Sequence, residues 1–331
     1  MNIKDTLLAS LVPIFLGFGF VIAKPAMESF PPILLMGLRF TFAASILIWW
    51  FPIPRGYLKK IFIASLIAVT LQYSITYTGL NLIDASAAVL LVQTEVPFGV
   101  IFAYFMLKEK PTIRALVGIS IAFVGVYILT GSPNLDGKFV GISLTILGSG
   151  IWALGQVIVK PLSKVINPIA LVAWLAFFSG PILIIISLII DGNTIKYISS
   201  ASFEHWMIVF YLGFIMQPIT YGCFYYVLKN NPLYKVLPIV TMGIPPVGLL
   251  AAIFLLGEKP TPELFLGGSI IIIGVIMIVF TKKNKESYVK DKNGKLRSKL
   301  TKTITTWLHN NKNIYKWKKK EFTKPKLLNE I

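Results

Sequence analysis

The chain has 331 residues, 55% of them hydrophobic and only 14% charged, and its 32 Lys and Arg against 14 Asp and Glu give a formal net charge of +18. Soluble domains carry about 25% charged residues, so this composition excludes a water-soluble globule. The apolar runs, such as PPILLMGLRFTFAASILIWW at 31–50, also lack the alternation of a membrane β-barrel strand.

The expected class is therefore an all-α integral membrane protein, because about twenty apolar residues in a helix cross a hydrocarbon core of roughly 30 Å. Taken in chain order, breaks at charges, Pro, Gly and Asn divide the sequence into ten spans at 6–23, 31–50, 58–80, 84–107, 112–131, 138–160, 167–190, 203–228, 232–256 and 261–281. The first has the basic start of a signal peptide in Lys4 but no clear small-residue cleavage site, and it is read as a membrane helix. The single cysteine, Cys223, has no partner for an internal disulfide.

FMLKEKPT at 105–112 returns as FLLGEKPT at 254–261, 149 positions later. The same offset aligns Pro97 with Pro246, Gly118 with Gly267 and Gly125 with Gly274. Upstream an offset of 136 aligns Gly19 with Gly155 and Lys24 with Lys160, and the polar stretch 191–203 absorbs the difference. The expectation is a five-plus-five repeat, residues 1–131 and 132–281, followed by a basic tail at 282–331. Five spans is an odd number, so the second half enters the membrane from the opposite side and the repeat is inverted. With the N-terminus inside, eleven Lys and Arg fall on inner loops and four on outer ones, which predicts both termini in the cytoplasm.

Inverted repeats place substrate sites near the midplane between the halves, and an ionisable group inside a span is costly enough to suggest function. Arg39 in span 2 and Glu95 in span 4 are two such groups. Two readings stand. Glu95 takes a cation, ammonium or proton while Arg39 holds a carboxylate or tunes Glu95, or the two form an ion pair that only locks the spans together. Spans 3 and 8 are unusually polar: Gln72, Tyr73, Thr76 and Tyr77 share one helical face, as do Gln217, Thr220 and Tyr221, with Tyr77 aligned to Tyr226. These residues, with Gln93, Trp152 and Gln156 on spans 4 and 6, are candidate substrate contacts or simply partners for their own helix and its neighbours. Pro97 in span 4 and Pro238, Pro245 and Pro246 in span 9 mark candidate kinks. The acids of the repeated phrase, Glu109 and Glu258, precede spans 5 and 10 and are read as structural, near helix N-termini.

No catalytic constellation appears. The only histidines are His205 and His309, and there is no HExxH metal motif, no GxSxG and no Walker loop, so neither an enzyme nor an ATP-driven pump is expected. The tail concentrates sixteen Lys and Arg against four acids. Leu300, Ile304, Trp307, Leu308, Ile314 and Trp317 among these lysines permit a partial amphipathic helix on anionic lipid, or else the tail is solvated; nothing in it specifies nucleic acid.

FPPILLMGLRF in span 2, QTEVPFGVIFAYFMLKEKPT in span 4, GIPPVGLLAAIFLLGEKPT in span 9 and the glycine-patterned spans 5 and 10 resemble the drug/metabolite transporter superfamily, in its EamA-type branch. The resemblance covers about residues 1–281, and within it FPPILLMGLRF and LVAWLAFFSGPILIIISLIIDG are most similar to exporters of cysteine and O-acetylserine. It implies a secondary exporter of small amino acids or related metabolites in the plasma (inner) membrane, without an organic cofactor. Glu95 departs from some cysteine exporters, which carry an uncharged residue there, and the long basic tail departs as well. A second class, a membrane-anchored scaffold that recruits lipid or a partner through its tail, stands as the alternative.

Overall fold

The computed structural model describes residues 3–51, 53–107, 111–231, 233–280, 288–290 and 296–298. The chain forms two compact units, Met1–Thr281 and Lys282–Ile331. The first contains ten helices long and apolar enough to cross a membrane: spans 1–5 are Ile3–Ala26, Pro32–Trp50, Leu58–Leu82, Ala85–Met106 and Ile113–Thr130, and spans 6–10 are Phe139–Val165, Pro168–Ile190, Phe203–Asn230, Ile239–Leu256 and Pro262–Val279. They agree with the expected spans to within a few residues at most ends.

Local chemistry sets these ends. Spans 2 and 7 begin with Pro32 and Pro168, tolerated in a first turn whose amides have no helical partner. Thr112 and Thr261 cap spans 5 and 10, their hydroxyls accepting from Ala115 N at 3.2 Å and Leu264 N at 3.4 Å. In the stretch 191–203, where only a connection was expected, Thr194–Ser200 forms a short helix. Gly192, at φ +75°, turns the chain out of span 7, and the next seven residues contain no Gly or Pro to prevent helix formation.

The tail unit contains a short antiparallel strand pair, Tyr288–Lys290 with Leu296–Ser298. Asn293-Gly294 between the strands is the sequence signal for such a pairing. The proposed tail helix around Leu300 to Trp317, and Glu109 of the first repeated phrase, lie outside the described residues.

The packing of the ten spans shows how the halves are related. Span 1 packs on spans 8 and 9, and span 6 packs on spans 3 and 4. Spans 2 and 7 pair, and so do spans 5 and 10. Exchanging each span with its repeat mate leaves this set of neighbours unchanged, which is a pseudo-two-fold. The two self-mated pairs run antiparallel: Gly37 lies beside Leu183 and Ile184 while Gly180 lies beside Thr41, and Gly118 lies beside Gly274 while Gly125 lies beside Gly267. Mates that run in opposite directions make the repeat inverted.

The pairing of spans 5 and 10 depends on its glycines. A Cβ on Gly125 would stand 2.6 Å from the Ile271 nitrogen and 2.7 Å from the Gly267 oxygen. Backbones this close replace the side-chain layer of an ordinary contact, which is how membrane helices associate where lipid supplies no hydrophobic drive. Gly125→Val is expected to destabilise the protein by about 1–3 kcal/mol, read as a lowered thermal midpoint in detergent. An unchanged midpoint would contradict the close approach.

Candidate functional site

Three irregular helices shape the interior of the membrane unit. Spans 3 and 8 each contain a π-helical turn, Leu66–Leu71 and Tyr211–Met216, placed directly before Gln72 and Gln217. The wider turn shifts the register of everything after it and re-aims the polar face. Span 4 changes from α-helix at Ala85–Leu91 to a 3-10 turn at Val92–Thr94 and resumes as Glu95–Leu107. Pro97 explains the break, since it lacks the amide that would bond the Gln93 carbonyl. Glu95 thus stands in the first turn of a restarted helix. Span 9, in contrast, belongs to an uninterrupted helix, Leu233–Leu256, despite its three prolines.

Arg39 is fully buried, yet it does not pair with Glu95. One guanidinium nitrogen donates to the Tyr77 hydroxyl at 3.1 Å and another to Gln217 Oε1 at 2.6 Å. The rings of Phe40 and Tyr73 flank it with centroids 5.4 and 5.2 Å away, and only Nε has no partner. Arg39 therefore ties span 2 to span 3 and, across the two halves, to span 8. Of the two readings, the ion pair locking spans 2 and 4 is not formed, because neutral hydroxyl and amide groups lie closer to the guanidinium than the carboxylate does. Elsewhere Lys138 and Asp84 form an ion pair at 3.2 Å.

Two cavities lie beside this tie. The charged one spans about 580 Å³ of atom-free space, part of it open to the surroundings, and is lined by Arg39, Gln72, Tyr77 and Glu95, with Phe20 and Trp152 as ring walls. The Glu95 carboxylate makes no hydrogen bond or ion pair with a described residue. Gln72, 4% exposed, donates to Thr76 Oγ1 at 2.9 Å and leaves its Oε1 unpartnered. The neutral cavity, of about 330 Å³, is lined by Gln156, Gln217, Tyr225, Phe40 and Leu175 among others. Tyr73, Trp152 and Tyr221 line both, and the Tyr73 and Tyr221 hydroxyls are hydrogen-bonded to each other.

Of the ten candidate residues, all but Gln93 line one or both cavities. Gln93 is buried with both amide atoms unpartnered, on a different side of span 4 from Glu95, because two residues along a helix turn the side chain through more than half a circle. The expected alignment of Tyr77 with Tyr226 is also corrected. Gly155 packs on Ala68 and its mate Gly19 packs on Met216, which sets an offset of 148 and makes Tyr225 the mate of Tyr77 and Tyr221 the mate of Tyr73. Tyr226 is instead 37% exposed, with its ring 5.7 Å from Lys4 Nζ. Phe20, stacked on Tyr77 at 5.4 Å, was missed by sequence reasoning, although the 136 offset pairs it with the candidate Gln156.

One face of the membrane unit is tied together across its loops. Lys24 Nζ donates to the Ile83 carbonyl, and the Ser132 hydroxyl bonds that of Thr261 at 2.7 Å. Glu258 takes the Ala85 N–H on one carboxylate oxygen at 2.7 Å and the Ser86 N–H on the other at 2.9 Å. The acid of the second repeated phrase does sit at a helix N-terminus, but at that of span 4 rather than span 10. Gly257, at φ +65°, bends the chain back far enough to allow it.

An inverted ten-helix repeat enclosing polar, partly charged cavities defines a membrane transporter. The EamA-like transporter family matches residues 4–131 and 139–280, and the chain belongs to that family; it is of the drug/metabolite transporter type and is not an enzyme. Similar curated proteins include "Probable amino-acid metabolite efflux pump" of Escherichia coli K12, 30% identical over 289 residues that cover 85% of this chain and 96% of that protein. A protein of the same name in Salmonella typhimurium is 28% identical over 290 residues, with the same coverage of 85% and 96%. A solved crystal structure covering 83% of this chain and 95% of its own shares the fold at a TM-score of 0.60 and 16% identity.

Removing the partner of a buried charge leaves that charge unpaid, whereas the charge itself stays. Gln217→Leu is therefore expected to lower stability by about 2–3 kcal/mol, measured as a fall in the thermal midpoint in detergent. A midpoint equal to the parent's would show that the Arg39 tie carries no stability.

Proposed function

We propose that this transporter exports small amino acids or related metabolites by alternating access between its two halves, residues 1–131 and 132–281. The observation that carries the reading is the unpartnered Glu95 carboxylate in a cavity walled by Phe20, Tyr77 and Trp152. A carboxylate in a low-dielectric interior is costly unless something charged completes it, and an ammonium group does so while its hydrogens meet ring faces. The cargo's carboxylate then lies toward Arg39, whose Nε is its one unpartnered nitrogen, and Gln72 Oε1 accepts a further hydrogen. The names of the relatives from Escherichia coli and Salmonella typhimurium agree with an amino-acid cargo and an outward direction. The resemblance to cysteine and O-acetylserine exporters puts small polar amino acids first among the candidates.

In this reading the protein sits in the plasma (inner) membrane with both termini in the cytoplasm, where the lysine-rich tail at 282–331 meets anionic lipid. The scaffold alternative has no structural observation in its favour, since the relevant tail residues lie outside those described.

Flux of labelled amino acids into proteoliposomes tests the proposal. The expected result is transport above empty vesicles for a subset of small amino acids, and at least about a tenfold loss in Glu95→Gln at unchanged thermal stability. Stability should hold because Glu95 has no partner to lose among the described residues. No flux across a broad panel, or full flux in Glu95→Gln, would overturn it.

A further inference from the structure

The charged cavity is lined unevenly. Among the described residues, those that spans 2 and 3 place on it are all polar: Arg39, Gln72, Tyr73, Thr76 and Tyr77. Those from spans 1 and 9 are all apolar: Leu16 and Phe20, one turn apart, and Val240 and Ile244, also one turn apart. The two apolar spans meet closely, since a Cβ on Gly17 would stand 2.9 Å from both the Gly248 nitrogen and the Ile244 oxygen. Their side chains therefore form one wall of the cavity.

The polar side has little capacity to spare. Thr76 accepts from Gln72, and its hydroxyl lies against span 6, where a Cβ on Gly148 would stand 2.1 Å away. Ser149 donates to the Thr145 carbonyl at 2.8 Å. Among the described side chains, Glu95 and Gln72 Oε1 remain as acceptors. The remaining donors are Arg39 Nε, the Tyr77 hydroxyl, the Trp152 N–H and the one hydrogen left over by the Tyr73–Tyr221 pair. An ammonium has three hydrogens and a carboxylate about four acceptor sites. The two ends of one amino acid use these groups up.

We propose that the cargo's side chain is aliphatic and lies against the wall of spans 1 and 9, with Leu16, Val240 and Ile244 as the residues that select it. This rests on the transport reading above and reorders its candidates. Side chains like those of valine, leucine and methionine come ahead of the small polar ones that the resemblance favours. The physical reason is desolvation. A hydroxyl or amide pressed on the wall gives up water and finds no side-chain partner there, a loss that an aliphatic group does not suffer. The aliphatic group instead gains by removing its own surface and the wall's from water. Recognition is thereby divided. Spans 2, 3 and 4 read the ammonium and carboxylate that all amino acids share, and spans 1 and 9 read the side chain that distinguishes them.

The test uses the full chain in proteoliposomes with valine and threonine, near-isosteres that differ by a methyl against a hydroxyl, carried as two labels in one sample. Valine is expected to exceed threonine by at least about tenfold in kcat/KM. Val240→Thr puts a hydroxyl on the wall at nearly constant volume and is expected to narrow that ratio several-fold. Leu16→Ala enlarges the space and is expected to raise leucine relative to valine several-fold. Both labels share each vesicle, so a variant that inserts poorly lowers both fluxes and leaves their ratio unmoved. Glu95→Gln is expected to depress valine and threonine alike. Threonine equal to valine in the parent, or transport confined to polar amino acids, overturns the aliphatic cargo and leaves the transport reading intact. Ratios at the parent's values in Val240→Thr and Leu16→Ala overturn the selecting role of the wall; where one variant carries no flux, the other decides alone. A parent that moves no amino acid brings down the transport reading and this inference with it.

Discussion

A hydrocarbon interior offers no hydrogen-bond partner, and the organisation of this protein follows from that constraint. A charged or amide side chain inside the bundle is costly unless protein completes it or it faces a cavity, and Gln93 is the candidate that does neither. Arg39 is completed, by a hydroxyl from span 3, an amide from span 8 and two ring faces. Glu95 is left facing a cavity. The same constraint explains where helical geometry is allowed to fail: the π turns of spans 3 and 8 and the 3-10 turn of span 4 adjoin the cavity-lining residues.

The repeat contributes the architecture and its divergence contributes the chemistry. Mates pack on mates along two antiparallel seams, spans 2 with 7 and 5 with 10, and these hold the halves together close to the axis. On the axis itself Tyr73 meets its own mate Tyr221. Away from it the halves have parted: the repeat mate of Arg39 is Leu175 and that of Glu95 is Ile244. Selection for a symmetric scaffold and for an asymmetric site can coexist because a side chain can change without altering the backbone crossing that the glycines require.

Most of the candidate site's polar residues were legible before any fold was known, for a physical reason. In an apolar span a polar residue stands out, so Arg39, Glu95, Gln72 and Gln217 could be found by contrast alone. What contrast cannot supply is direction around the helix. Gln93 stands out just as Glu95 does, yet it is turned away from both cavities. Phe20 is an ordinary apolar residue in its span and gains meaning only by stacking on Tyr77. The offset of 149 read from the repeated phrase matches Tyr77 with Tyr226, whereas the packing of spans 3 and 8 has an offset of 148 and pairs it with the buried Tyr225.

By itself, the sequence determined that this is a ten-span helical membrane protein with an internal repeat of odd span number, because length, hydropathy and repeat offset are properties of the chain alone. Only the tertiary structure decided who partners whom. Arg39 goes to Tyr77 and Gln217 and not to Glu95, and Glu258 caps span 4 and not span 10. Those choices depend on which atoms come within about 3 Å of one another, and that is set by how the two inverted halves cross, not by any spacing along the chain.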